Sequence, residues 1–320
     1  MKQVGASLGQ HIREGRFQRG LSLIAGLSGA LSGLEVVTEH YRGSYSQRIM
    51  YSPIVLSPVL LIAGVWGALS RRAARTVLPI VSAITVLDGV IGFAFHVRGI
   101  HRKPGGWRIP IFNLIMGPPV LAPLLFAISG YLGLIATFLR REDDPSAPIS
   151  GRAGNSEPGT PTENRSGSWW SRLLPSGVAA EGAELEQHIR EGRFQKHLAA
   201  MTAISAVLSG VEALYSHYKN NFQYKAQWTP ILLTPVLFVA GIGAIYSRAV
   251  ARTLLPLVSV LALLDGAVGT FYHARGMLRR PGGLKYPLYN LMYGPPLFAP
   301  LLFAASGFMG VLASLLRRAD

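Results

Sequence analysis

The chain repeats itself at a fixed distance. His11 to Arg141 returns, without insertion or deletion, as His188 to Arg318, so the residue at position n has its counterpart at n+177. The octapeptide HIREGRFQ is identical in both copies. So are Leu31-Ser32-Gly33 and Leu208-Ser209-Gly210, Asp88-Gly89 and Asp265-Gly266, and Gly117-Pro118-Pro119 and Gly294-Pro295-Pro296. The RKPGG turn at 102–106 is matched by RRPGG at 279–283. A unit of about 130 residues is an ordinary domain size, so one fold has to serve twice.

That unit is a membrane unit. Hydrophobic residues are 49% of the chain, charged residues 15%, and the mean hydropathy is +0.31, a balance typical of membrane proteins. Each copy holds four apolar runs able to cross ~30 Å of hydrocarbon. They are 20–41, 52–70, 76–97 and 112–139 in the first copy, and 197–218, 229–247, 253–274 and 289–316 in the second. None alternates as a barrel strand does, and backbone groups in lipid must bond internally, so the runs are read as helices. An even number of crossings returns the chain to its starting side. The expectation is therefore an all-α integral membrane protein with eight transmembrane helices, arranged as two tandem parallel four-helix repeats. Residues 1–141 and 188–320 form the repeats. Residues 142–187, rich in Pro, Ser, Gly and acids, read as a flexible polar linker carrying an interfacial Trp169-Trp170 segment.

Charge and cysteine usage exclude several classes. The formal charge is +15, yet 8 of the 16 acidic residues lie in 142–186 and the basic ones sit at helix ends. Such collars suit a bilayer with anionic headgroups, and nucleic acid is not expected as a partner. With no cysteine, disulfides, thiolate metal sites and iron–sulfur clusters are ruled out. The basic start runs into a full-length span without a small-residue cleavage motif, so no cleaved leader is expected. The loops on the N-terminal side carry 15 Lys/Arg against 12 opposite, which places the N terminus and linker on the cytoplasmic side of a plasma or inner membrane. HIREGRFQ reads as an amphipathic helix lying on the surface before each first span.

Small residues and prolines mark the packing. Gly29 and Gly33, matched by Ala206 and Gly210, keep the spacing that lets helices approach closely. Pro118, Pro119 and Pro123, matched by Pro295, Pro296 and Pro300, must disturb the fourth helix near its start. The carbonyls freed there have to face protein or a cavity.

Both copies retain the same ionisable and polar residues inside apolar sequence: Glu35/Glu212, His40/His217, Asp88/Asp265, His96/His273 and Asn113/Asn290. Such residues are costly in a membrane and point to function. The first and third helices of a copy run the same way and the fourth starts where they end, so all five gather toward one face. Glu35 and His40 are ~140° apart around a helix, and Asp88 and His96 ~80°, so neither pair binds one ion from a single helix. Two layers are expected, Glu35 with Asp88 deeper and His40 with His96 nearer the surface.

Four readings compete for this constellation. Polar helix-packing glue is the plain one. A metal site from Glu35, His40, Asp88 and His96, with Glu212, His217, Asp265 and His273, suits Fe, Mn, Zn or Cu, although the Glu-x-x-His of di-iron bundles is missing. Haem b held by His40 and His96, and by His217 and His273, is the third, with Gly92 and Gly99 leaving room for a flat ring and Arg98 or Arg102 meeting propionates. Transport of an ion or solute through the Gly-Pro-Pro break is the fourth. The RKPGG loop reads either as a turn with interfacial cations or as an anion or lipid-phosphate site. Taken together, the sequence points to a duplicated His/carboxylate site for a metal or haem in a redox role, within an enzyme or a membrane subunit with partner subunits. No nucleophilic triad, phosphate loop or dinucleotide fingerprint competes with that reading.

Overall fold

The structure, a computed structural model, describes residues 17–139 and 194–315. The linker, its tryptophans and most of both HIREGRFQ segments lie outside the described residues. Those described are all-helical, with no strand. In chain order the helices are α1 (Gln18–Arg42), α2 (Ser52–Leu69), α3 (Arg71–Arg75), α4 (Val77–His101), α5 (Pro110–Ile115) and α6 (Ala122–Phe138). They are followed by α7 (Gln195–Lys219), α8 (Thr229–Tyr246), α9 (Arg248–Arg252), α10 (Leu254–Leu278), α11 (Pro287–Tyr293) and α12 (Ala299–Leu315). Every helix of the second half starts 177 residues after its counterpart.

Among the described residues, six stretches are long and apolar enough to cross a membrane: α1, α4, α7, α10, and α2 and α8 with the short turns that precede them (Arg48–Leu69 and Lys225–Tyr246). The protein is thus a multi-pass membrane protein by its helices. The run expected as one fourth span is not one helix. Gly117-Pro118-Pro119 divides it into α5 and the 17-residue α6, and Gly294-Pro295-Pro296 divides α11 from α12. Proline has no N–H to give and its ring disfavours helix in the residue before it, so two in succession stop the helix until Pro123 or Pro300 restarts it at a helix N terminus.

Within residues 17–139, α1 packs on α2, α2 on α4, α4 on α6, and α6 back on α1. The same cycle joins α7, α8, α10 and α12. Helices α1 and α4 therefore face each other across the middle, as do α7 and α10. Close approach depends on absent side chains: a Cβ on Gly26 would stand 3.1 Å from the Leu61 carbonyl, and one on Gly64 only 2.5 Å from that of Ser22. The expected seam is present too, with Gly29 against Leu60 and Gly33 against Ser57. The halves meet through α6 on α7 and α12 on α1, with α5 and α11 reaching α7 and α1 of the opposite half. One apolar cluster runs through both, from Leu21 and Leu132 to Phe194 and Met309.

Candidate functional site

The polar residues do gather at one end, where α1 finishes, α2 begins, α4 finishes and α6 begins. Their partners divide them into three kinds of contact.

The histidines form the first kind. α1 ends in a tight turn in which Ser44 and Tyr45 both have positive φ, 58° and 46°, and the Tyr45 N–H donates to the His40 carbonyl at 3.1 Å. The chain then folds back so that the Met50 carbonyl lies 2.8 Å from His40 Nδ1. His96 Nδ1 lies 2.6 Å from the carbonyl of Pro119, one of those released by the Gly-Pro-Pro break. In the second copy His217 Nδ1 meets the Gln227 carbonyl at 2.9 Å and His273 Nδ1 meets that of Pro296 at 2.6 Å. A carbonyl can only accept, so each Nδ1 carries a proton, and in the neutral ring Nε2 is the atom that holds the lone pair. The rings of a pair come from facing helices. Their centres are 6.4 Å apart for His40 and His96, and 6.5 Å for His217 and His273. Tyr45 lies edge-on to His40 and stacks on Tyr51; Phe222 and Trp228 repeat this at His217.

The glutamates form the second kind, and each reaches into the other copy. Glu212 Oε1 accepts the Leu121 N–H at 2.7 Å, just ahead of α6, and Glu35 faces the N–H of Phe298, just ahead of α12. The first N–H groups of a helix have no partner within it, and a carboxylate there is favoured by both hydrogen bonding and the helix dipole. Glu35 and Asp88 consequently do not form the expected deeper layer.

Asp88 and Asp265 form the third kind. Asp88 takes the Ser52 hydroxyl, and Asp265 the Thr229 hydroxyl at 2.5 Å, at the first residue of α2 and α8. Asp88 lies along a shallow apolar groove of about 500 Å³ between α2 and α4, lined also by Val55, Leu56, Ile84 and Leu87. Asn113 and Asn290 stand apart as turn clamps. Asn113 Nδ2 donates to Pro104 O at 3.1 Å and Gly106 O at 2.8 Å, and Asn290 repeats this on Pro281 and Gly283. They hold the RKPGG and RRPGG turns, in which Gly105 and Gly282 take φ of 77° and 79°.

One further expectation is corrected. Gly92 and Gly99 leave no room for a ring, because Pro123 and Pro118 fill it: a Cβ at either glycine would stand 3.1 Å from the proline facing it. The same prolines that break the fourth helix use the gaps. And among the described residues no three or more His, Asp or Glu side chains come together to hold a metal ion. The basic end of α1 is tied to the second copy: Arg42 is paired with Glu39 at 2.6 Å and donates to Met292 O at 2.8 Å and Gly294 O at 2.7 Å. Nothing local in the sequence signals that, since the acceptors lie 250 and 252 residues away.

Chemically, the arrangement offers two imidazoles per copy, each ring fixed through Nδ1 as ligand histidines are. No protein-family model, curated protein or solved structure matches the chain.

Proposed function

We propose that each copy is a bis-histidine haem b site and that the protein serves membrane electron transfer. The observation that carries this is the pair of facing imidazoles with pinned Nδ1 groups, repeated in both copies. Two imidazoles binding one ion from opposite sides through ~2.0 Å bonds have ring centres ~6 Å apart, close to the 6.4 and 6.5 Å found. A lone Fe, Mn, Zn or Cu ion seeks three or four protein ligands, whereas haem iron already has four ring nitrogens and needs only two axial ones. Two histidines without a third ligand favour haem over the bare ion, with its ring lying away from the side of Gly92 and Gly99 that Pro123 and Pro118 fill. Arg98 and Arg102 lie at the same end of α4 and suit propionates.

The proposal includes the topology. Helices α6 and α12 are ~25 Å long at 1.5 Å per residue and, with α5 and α11 at the interface, complete a fourth crossing in each of two parallel four-helix repeats. The even count puts the N terminus and linker on one side, the cytoplasmic side of a plasma or inner membrane, with both histidine pairs at the opposite face. The basic collars meet anionic headgroups there, and a redox role implies a partner subunit or enzyme that exchanges electrons with the pair.

A structural membrane subunit is the second reading, favoured by the fact that Glu35, His40, Asp88, His96, Asn113 and their counterparts all have protein partners. The absorption spectrum of the purified protein decides. A Soret band that shifts on reduction with dithionite, in the ratio of two haems per chain, is expected. A colourless protein after expression with added haem precursor, without bound transition metal by elemental analysis, returns the polar residues to packing.

A further inference from the structure

The stretch from the end of α4 through α5 carries charge of one sign only, and so does its counterpart from α10 through α11. No Asp or Glu lies between Asp88 and Glu142, or between Asp265 and Asp320. Yet this end of the first copy holds Arg98, Arg102, Lys103 and Arg108, and that of the second Arg275, Arg279, Arg280 and Lys285. Arg98 and Arg102 close α4 and are taken by the propionates in the haem reading. Lys103, Arg108, Arg280 and Lys285 belong to the turn beyond, and among the described residues none of these four pairs with an acid.

The turn holds its cations in fixed places. Gly105 and Gly106 both take positive φ, as Gly282 and Gly283 do, and the Asn113 or Asn290 amide donates to a carbonyl on either side of the first glycine. Lys103 lays its stem against the Gly-Pro-Pro break at Gly117, and Arg280 lays its own at Gly294. Lys103 Cε and Arg280 Cδ are 3.5 and 3.4 Å from where a Cβ on the facing glycine would stand. Arg280 Nε is buried there without a hydrogen-bond acceptor. A guanidinium N–H left in this way calls for an oxygen, best of all an anionic one.

The surface beside the cations is apolar. Trp107, Ile109, Ile111, Phe112 and Met116 are exposed, and so are their counterparts Leu284, Tyr286, Leu288, Tyr289 and Tyr293. Helices α5 and α11 bury Asn113 and Asn290 and turn outward Ile111 and Leu288, which are 73% and 70% exposed. The two copies differ at all five outward positions but keep each one apolar or aromatic, whereas the inward Asn is the same in both. A face that keeps its hydrophobicity without its identity suits fluid acyl chains, and Trp and Tyr among cations suit the depth of the headgroups.

We propose that each of these turns binds one anionic phospholipid, with its phosphate between the two turn cations and its chains over the apolar face of α5 or α11. A free phosphate would satisfy the cations equally well but leaves the exposed apolar face unexplained. A phospholipid accounts for both. Such sites go beyond the general attraction of a basic collar, because they have a count, two per chain. Neither the histidine pairs nor the propionate arginines take part, so this proposal and the haem reading stand or fall separately.

The test titrates the full chain in detergent with dioleoylphosphatidylglycerol, and separately with dioleoylphosphatidylcholine, and counts the lipids retained by native mass spectrometry. Two phosphatidylglycerols per chain should stay bound at concentrations where phosphatidylcholine does not. A cation at a lipid surface is worth about fivefold in binding, so Lys103→Gln/Arg108→Gln should weaken one of the two sites about 25-fold, and Arg280→Gln/Lys285→Gln the other. Ile111→Ser/Phe112→Ser, which leaves the cations in place, should weaken the first site severalfold. The comparison of the two lipids on the unaltered chain stays decisive if a variant does not accumulate. Equal retention of the two lipids, or undiminished phosphatidylglycerol in both cation variants, overturns the proposal. Displacement of both lipids by millimolar inorganic phosphate overturns it too, by assigning the turns to a soluble anion.

Discussion

The two copies agree inside each bundle and differ where they meet. His40/His96 and His217/His273 are held by the same carbonyls at the same ring separations, and Asn113 and Asn290 clamp the same turn. Along the interface the correspondence breaks down. Arg42 and Glu39 become Lys219 and Ser216, Tyr131 becomes Phe308, and His197 stands where the first copy has Gly20. Beside it, Ser205 of α7 and Ser306 of α12 bond each other within the second copy, while Ser28 and Ser129 of the first each bond a carbonyl of their own helix. A bundle interior repeats because each copy must solve the same packing problem. An interface within one chain is free to become unequal, because its two sides are separate positions in the sequence.

The comparison can be broken most visibly at the histidines. His40→Ala or His217→Ala alone should each remove one of two haems, read by the pyridine haemochrome assay, and the double variant should remove both. Loss of both haems from one substitution would show a single shared site instead of two equal ones. At the glutamates the copies should again match: Glu35→Ala and Glu212→Ala each strip a carboxylate from a buried helix start and should cost about 1–3 kcal/mol in detergent unfolding. A large cost at one and none at the other would end the reciprocal description.

The unequal interface sets the smaller effects. Arg42→Ala loses two charge-assisted bonds to carbonyls of the other copy and should cost about 1–2 kcal/mol. Lys219→Ala should stay within about 0.5 kcal/mol, as surface changes do. Equal costs would mean that the Arg42 clamp contributes nothing. Smallest of all, inside the bundles, Ser205→Ala should cost about 0.6 kcal/mol, the average for a hydrogen bond between membrane helices, and Ser28→Ala close to nothing by the same unfolding measurement.

Much of this was legible before any coordinates. Hydropathy located the six long spans to within a few residues, the prolines located the breaks, and the parity of helix directions brought His40 to the same end as His96. What stayed hidden were partners that are backbone atoms. Glu35 and Glu212 looked like ligands because intramembrane carboxylates are costly, but the groups that compensate them are N–H groups of Phe298 and Leu121, and every residue except proline has one. Gly92 and Gly99 looked like space for a ring because a missing side chain does not say what fills the gap, and Pro118 and Pro123 do.

The exchanged glutamates also bear on what duplication did to this chain's evolution. A second copy ordinarily supplies redundancy, leaving one free to decay while the other keeps the original task. Here each copy finishes a helix start belonging to the other, so a harmful change at Glu35 is felt in the second half and one at Glu212 in the first. With the carboxylates crossed, neither half is a spare for the other, and a loss in one is a loss in both.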